Sequence, residues 1–264
     1  MSVAVLVKRR LAPLAKTVAP GWFWRRKYRI LQRLGESKPE VQLVRSLCDP
    51  DRVSLDIGAA GGEFTIAMLA ASRSVIAFEP LPTQARALAA MFDAVGSTVR
   101  VEAVALSDRP GVTKMRVLES DPGRSTIDSD NALNDADGSR VGTIEVQVRR
   151  LDDLQLDDVG FVKIDVEGHE LAVLRGAADT LKRNRPTLFI EAEERHHRHA
   201  VAAITEFLAG LGYMGYFDVD GIRRPIDEFD PAEHQNPANV GGWKDGWATR
   251  GVYVNNFVFL PTPA

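Results

Sequence analysis

V-S-L-D-I-G-A-A-G-G-E-F-T, residues Val53 to Thr65, is the stretch that sets the fold. Val53, Leu55 and Ile57 alternate with Ser54 and Asp56, the period of a β-strand. Gly58 opens a glycine-rich turn, and beyond Gly62 the residues Phe64, Ala67, Met68 and Ala71 recur at helical spacing. Strand, tight turn and helix in that order open a βαβ unit of a doubly wound α/β sheet. A glycine carries no Cβ, so the turn can be sharp and the backbone can lie against a ligand.

Charge decides which ligand. A dinucleotide loop reads G-x-G-x-x-G and offers bare amides to a pyrophosphate at a helix N-terminus. This loop reads D-x-G-x-x-G-G-E, with Asp56 at the strand end and Glu63 just after the glycines. Those carboxylates repel a pyrophosphate and suit S-adenosylmethionine, which carries an ammonium and a sulfonium and no phosphate. Gly58, Gly61, Gly62 and Thr65 complete the expected cofactor loop. A second strand, Val75-Ile76-Ala77-Phe78, ends at Glu79 and Pro80, about where an acidic residue meets ribose hydroxyls in such folds. Both cofactors contain ribose, so Glu79 does not discriminate, and an NAD(P)-dependent oxidoreductase stays the rival enzyme.

Four pieces of the chain resemble the FkbM family of S-adenosylmethionine-dependent methyltransferases: D-I-G-A-A-G-G-E-F-T, A-F-E-P at Ala77–Pro80, K-I-D-V-E-G-H-E at Lys163–Glu170 and N-F-V-F-L-P at Asn256–Pro261. They stand in the family's order, and K-I-D-V-E-G-x-E is the specific one. The loop departs at Ala60, where the family usually has asparagine. The resemblance implies a Rossmann-like class I methyltransferase fold, a mostly parallel doubly wound sheet closed by an antiparallel C-terminal strand pair. It also implies O-methylation of a hydroxyl on a sugar, polysaccharide or natural product.

The composition, 264 residues with 45% hydrophobic and 26% charged, fits one soluble domain with additions. No apolar run of about 18 residues offers a membrane span. At the N-terminus the apolar run precedes the basic residues, the reverse of a secretory signal. Cys48 is the single cysteine, which excludes an internal disulfide framework and fits a reducing cytoplasm. It sits in an apolar helix pattern and reads as packing. Residues 1–52 hold twelve Lys/Arg against four Asp/Glu, so a net charge of −3 conceals an arm of +8 on a body of −11. Such a body is a poor nucleic-acid binder. The arm suits packing on the domain, a second subunit in a homo-oligomer, or an anionic membrane surface.

Read in order, residues 1–52 form this basic helical arm, with helices over Trp22–Leu34 and Pro39–Leu47 expected to cover the sheet edge or the mouth of the site. Residues 53–264 form the catalytic domain. Trp24, Tyr28 and Leu31 share one face of the first helix. Thr83 starts a helix ending near Gly96, and Val99–Leu106 reads as a third strand. The turn after it is expected near the adenine, with Ala103 and Val104 as cofactor contacts. Insertions fall near 112–150 and 220–251. The first reads as two strands, Val112–Leu118 and Thr143–Arg149, around a polar stretch in which Ser125 and Thr126 are candidates to face the site. Phe161–Val166 is the fourth core strand, followed by a helix from Gly168 to about Arg185. Thr187–Glu191 is the fifth, and Tyr213–Val219 with Tyr253–Leu260 is the closing antiparallel pair.

Ligands of open α/β sheets bind outside the carboxyl ends of the strands. That rule gathers Asp56, Glu79, the 103–108 turn, Asp165–His169 and Glu191–Glu194 on one rim. Methyl transfer to a hydroxyl requires alignment and loss of a proton. His169 is the candidate general base, since imidazole titrates near neutrality, with Asp165 beside it facing donor or acceptor. Asp165, Glu191 and Glu193 are the candidate ligands of an Mg²⁺ that would acidify the hydroxyl. Trp22, Trp24, Trp243 and Trp247 lie in the arm and the late insertion, where they suit either a saccharide-stacking rim or packing. The expected acceptor is a hydroxylated small molecule or glycan. A non-catalytic binding protein using the basic arm is the rival from another class.

Overall fold

The computed structural model describes residues 17–129, 131, 133, 140–240 and 250–263. Two helices, α1 (Pro20–Glu36) and α2 (Pro39–Leu47), precede the first strand. The core then alternates: β1 (Val53–Ile57), α3 (Glu63–Leu69), β2 (Ser74–Phe78), α4 (Pro82–Val95) and β3 (Arg100–Glu102). Three strands follow, β4 (Ala105–Leu106), β5 (Gly111–Leu118) and β6 (Val141–Arg149). The alternation resumes with β7 (Val159–Ile164), α5 (Glu170–Arg175), α6 (Ala178–Asn184), β8 (Thr187–Glu191) and α7 (Ala200–Ala209). It closes with β9 (Tyr213–Val219), β10 (Ile222–Pro225), α8 (Pro231–His234) and β11 (Asn256–Pro261).

The main sheet runs β10-β9-β11-β8-β7-β1-β2-β3. β1 pairs in parallel with β2 and β7, β7 with β8, and β2 with β3, while β11 lies antiparallel between β8 and β9. This is the mostly parallel, doubly wound class I arrangement expected from the sequence, closed by the antiparallel strand at Asn256–Pro261. Side chains alternate across it. Leu55, Ile57, Val162, Ile164, Leu188 and Ile190 pack under α5, α6 and α7 through Val173, Leu174, Leu181, Val201, Ile204 and Leu208. On the opposite face Val75, Phe161, Phe189 and Val258 meet Val44 of α2 and Met68 of α3. Trp24, Tyr28 and Leu31 of α1 join Leu88, Met91 and Phe92 of α4 there. The arm therefore forms an outer layer on one face of the sheet, through α3 and α4.

Two expected elements are broken. The strand over Val99–Leu106 parts at Ala103–Val104: β3 stays in the main sheet, and β4 crosses to a three-stranded sheet of order β4-β6-β5. The helix from Gly168 to Arg185 is two, α5 and α6, because Gly176 lets the Ser107 carbonyl come so close that a Cβ would lie 2.0 Å from its oxygen. Cys48 is half-buried and donates to the Val44 carbonyl at 3.2 Å, and burial raises its pKa, consistent with packing. No helix among the described residues is long and apolar enough to cross a membrane.

Candidate active site

A cleft with about 610 Å³ of empty space, part of it open to solvent, lies at the carboxyl ends of β1, β2 and β7. One wall is Ile57, Gly58, Ala60, Phe78, Glu79 and Pro80, with Asp165, Val166, Glu167 and His169. The other is Val104, Ala105, Leu106 and Met115 from the small sheet, with Pro122, Gly123, Ser125 and Ile127 from the segment after β5. Carboxylates and one imidazole thus face an apolar wall. No lysine or arginine among the described residues lines it.

Lys163 holds the first wall together. Asp56 and Lys163 are partners in the β1–β7 register, and both side chains are buried. The ammonium donates to the Gly58 carbonyl at 2.9 Å and lies 3.0 Å from Asp165 Oδ2 and 3.5 Å from Asp56 Oδ1. Burial alone would discharge it, but Asp165 and Asp56 keep its pKa above the ordinary lysine value. Asp56 Oδ2 accepts from Thr65 Oγ1 at 2.5 Å. Glu79 is fixed separately: Oε2 accepts from the Ala60 amide and Oε1 from the Leu81 amide, both at 2.8 Å. Burial raises the pKa of Glu79. Gly58, at φ +83°, packs so tightly on β7 that a Cβ would meet the Asp165 carbonyl oxygen at 1.8 Å.

The loop after β7 turns through Glu167 (φ +53°) and Gly168 (φ +98°). Glu170 Oε1, buried, accepts from the Gly168 amide at 2.9 Å and lies 3.3 Å from the Val166 amide; burial raises its pKa to about 7. His169 then presents Nε2 to Ser107 Oγ at 2.8 Å and Nδ1 to Asp128 Oδ2 at 3.7 Å. Burial lowers its pKa, against a partial opposing pull from Asp128. Asp128 also meets His197 Nε2 at 2.9 Å. The segment carrying it is tied to this loop by Thr126 Oγ1 and Asn131 Nδ2, which donate to the Glu167 carbonyl at 2.9 and 2.7 Å.

Of the residues singled out in the sequence, Gly58, Glu79, Pro80, Val104, Asp165 and His169 line the cleft. Asp56, Gly61, Gly62, Thr65 and Ala103 do not. Asp56 and Thr65 are buried with Lys163, Gly62 packs on Leu88 and Met91 of α4, and Gly61 and Ala103 are exposed. Glu63 points away to Lys38 at 2.6 Å. The acidity argued from Asp56 and Glu63 is therefore supplied by Glu79, Asp165 and Glu167. Nothing among the described residues of the site supports the magnesium reading. Glu191 accepts from Asn255 Nδ2 at 2.8 Å, and Glu193 is taken by Arg195 at 2.5 Å and by the Tyr253 hydroxyl. Asp165 lies on Lys163, and no group of three His, Cys, Asp or Glu among the described residues could hold a metal ion.

Trp24 is buried in packing, Trp22 is exposed on α1, and Trp243 and Trp247 lie outside the described residues. Ser125 lines the cleft, while Thr126 is buried and bonded to the Glu167 carbonyl. Ser125 Oγ is buried without a hydrogen-bond partner. Ser107, Asp128 and His197 were not foreseen. Ser107 sat in a turn assigned to the adenine, and nothing in the polar stretch distinguished Asp128 from the other aspartates.

The model of the methyltransferase FkbM domain family matches residues 56–214. The 2-O-methyltransferase NoeI of Sinorhizobium fredii (strain NBRC 101917 / NGR234) is 32% identical over 164 residues, which is 56% of this chain and 66% of that protein. The chain thus spans just under two thirds of that relative's length. Among solved structures, a methyltransferase FkbM from Methylobacillus flagellatus KT is 18% identical with a TM-score of 0.49, over 80% of this chain and 44% of that one. The precorrin-6y C5,15-methyltransferase of Geobacter metallireducens GS-15 is 16% identical with a TM-score of 0.44, over 86% and 89%.

Proposed function

The chain belongs to the methyltransferase FkbM domain family, and from that premise we propose that it transfers a methyl group from S-adenosylmethionine to a hydroxyl oxygen of a sugar, polysaccharide or natural product. The relative NoeI is named a 2-O-methyltransferase, which supports oxygen as the acceptor atom.

The cleft fits that donor. Its apolar wall, Val104 to Leu106 with Met115 and Ile127, suits a nucleoside base. Glu79 lies where ribose hydroxyls are met, and its oxygens keep lone pairs beyond the two amide bonds. Asp165 suits an ammonium. A lining with three carboxylates and no cation repels a pyrophosphate, which disfavours the nicotinamide reading. The buried, unpartnered hydroxyl of Ser125 awaits a polar group from a ligand. Bound there, S-adenosylmethionine supplies a methyl group on a cationic sulfur, open to attack by a nucleophile.

A hydroxyl must lose its proton as it attacks, and one observation carries the assignment of the base. His169 lines the cleft with its pKa pushed below the ordinary histidine value by burial. It is therefore neutral at physiological pH and free to accept a proton. The other titratable groups of the lining are committed. Asp165 is held by Lys163, Glu79 by two amides, and Glu167 by His196 at 3.2 Å. Asp128 opposite Nδ1 favours the tautomer with hydrogen on that nitrogen. Nε2 is then the acceptor, and the substrate hydroxyl takes the place of Ser107 Oγ.

His169→Ala is expected to lower turnover by about 10²–10⁴-fold while donor affinity, read by calorimetry, stays within a few-fold. In the native enzyme kcat/KM should rise with pH to a plateau, through a pKa below the ordinary value of about 6.5, because only the neutral imidazole accepts the proton. Turnover that survives the substitution would remove His169 from this role. Calorimetry with S-adenosylmethionine, its demethylated product and NAD⁺ separates the rival enzyme, which would bind NAD⁺ alone. A binding protein would bind the donor, if at all, and add no methyl mass to any hydroxylated acceptor.

A further inference from the structure

We propose that the outer face of α1 docks the enzyme on an anionic lipid surface. A helix advances about 100° per residue, so one helix can carry two unlike faces. Trp24, Tyr28 and Leu31 turn inward and pack with α4. The opposite side leaves Trp22 59%, Ile30 44% and Leu34 50% exposed, with Val18 just ahead of the helix 77% exposed. Exposed arginines, Arg25, Arg26, Arg29 and Arg33, are interleaved with them. Arg26 stacks its guanidinium 5.7 Å from the Trp22 ring centroid, and Arg25 reaches back to the Ala94 carbonyl at 2.7 Å. Glu36 at the very end is the helix's one acidic residue, against five Lys/Arg.

Three occupants could cover such a face, and the interleaving separates them. A second copy docking through the same patch would set Arg26, Arg29 and Arg33 against themselves, because a two-fold interface brings identical surfaces together. Interface cores between proteins are also depleted in charge. A nucleic acid would satisfy the arginines with phosphates but leave Val18, Ile30 and Leu34 in water. A lipid surface satisfies both sets at once. Guanidinium groups meet headgroup phosphates, the indole sits at the boundary, and the aliphatic side chains enter the acyl region. Residues 53–264 carry a net charge of −11, so repulsion of the body turns α1 toward an anionic membrane.

The test is flotation of the full chain with vesicles of phosphatidylcholine alone and of phosphatidylcholine with about one third phosphatidylserine. The protein should float with the anionic vesicles only, and less so as salt is raised. Arg26→Glu/Arg29→Glu/Arg33→Glu should lower partitioning by on the order of 100-fold, and Trp22→Glu/Ile30→Glu by about 10-fold. Both variants should keep the native circular dichroism and Tm, since the altered side chains are exposed. Absence of flotation, or flotation unchanged in both variants, would overturn the proposal. So would a dimer in sedimentation equilibrium that Trp22→Glu dissociates, or duplex binding that the arginine variant abolishes, because either would give the face to another occupant.

Discussion

One wall of the cleft is built from the ends of β1, β2 and β7, the other from the small sheet and the segment running from Pro122 to Asn131, and different forces hold them. In the first, buried charge fixes position: Lys163 draws the Gly58 carbonyl, Asp165 and Asp56 together, and Glu79 clasps the Ala60 and Leu81 amides. In the second, the fastening is by hydrogen bonds onto backbone carbonyls. Thr126 and Asn131 share the Glu167 carbonyl, and Arg116 donates to the Asp128 and Asn131 carbonyls. Breaking a buried ion pair costs about 3–5 kcal/mol, whereas a single hydrogen bond onto a carbonyl is worth about 0.5–1.5 kcal/mol, or about 1.5–3 kcal/mol from a charged donor such as Arg116. The comparison teaches that the first wall of the cleft is rigid by construction, while the opposing side is a strap laid over it.

Lys163→Met breaks the comparison where it is strongest. The substitution keeps roughly the same length of chain but leaves Asp56, fully buried, without its cation and Asp165 without its tether. Removing one partner of a buried ion pair costs about 3–5 kcal/mol, and urea denaturation should register a loss of that size. A loss below about 1 kcal/mol would mean that packing, with no help from charge, positions the first wall. Thr126→Val probes the strap. It removes the hydroxyl from the Glu167 carbonyl and from the Asp128 amide, while Asn131 still serves that carbonyl. A loss of about 1–2 kcal/mol is expected, with faster hydrogen exchange confined to the strap. A loss matching that of Lys163→Met would erase the distinction between the two walls.

The same division explains what could be read from the sequence. Alternation in Val53–Ile57 and Phe161–Val166, the glycine turn at Gly58 and the acidic strand end at Glu79 are local signals, and all lie on the first wall. They located the central strands of the sheet and part of the lining. Lys163 was legible as a strand residue that could partner a carboxylate, but its partnership with Asp56 depends on strand register. The second wall depends on tertiary contact alone. Nothing local breaks the strand at Ala103–Val104 or marks Gly176 as the seat of the Ser107 carbonyl, and Asp128 reaches His169 only once the hairpin folds back. Asp56 shows the converse error. Its acidity was correctly seen, yet charge read along a chain does not say which face of a strand it occupies.

The smallest expected effect has the opposite sign. Ala60 adopts φ +43°, a left-handed conformation in which a Cβ costs roughly 1–2 kcal/mol. It is held there because its amide must reach Glu79 Oε2. Ala60→Gly relieves the strain but gives the unfolded chain about 0.4–1 kcal/mol of extra freedom, so the net gain should be about 0.5–1 kcal/mol. Ala60→Asn tolerates the same conformation without that added freedom and should gain at least as much. Both keep the backbone amide that Glu79 holds. The measurement is the urea midpoint at unchanged slope, which isolates stability from compactness. A gain would mean that Glu79 imposes the turn on a residue that resists it. A loss would mean that the first wall owes its shape to the alanine methyl, and the charge-locked picture of that wall would need to give up its loop.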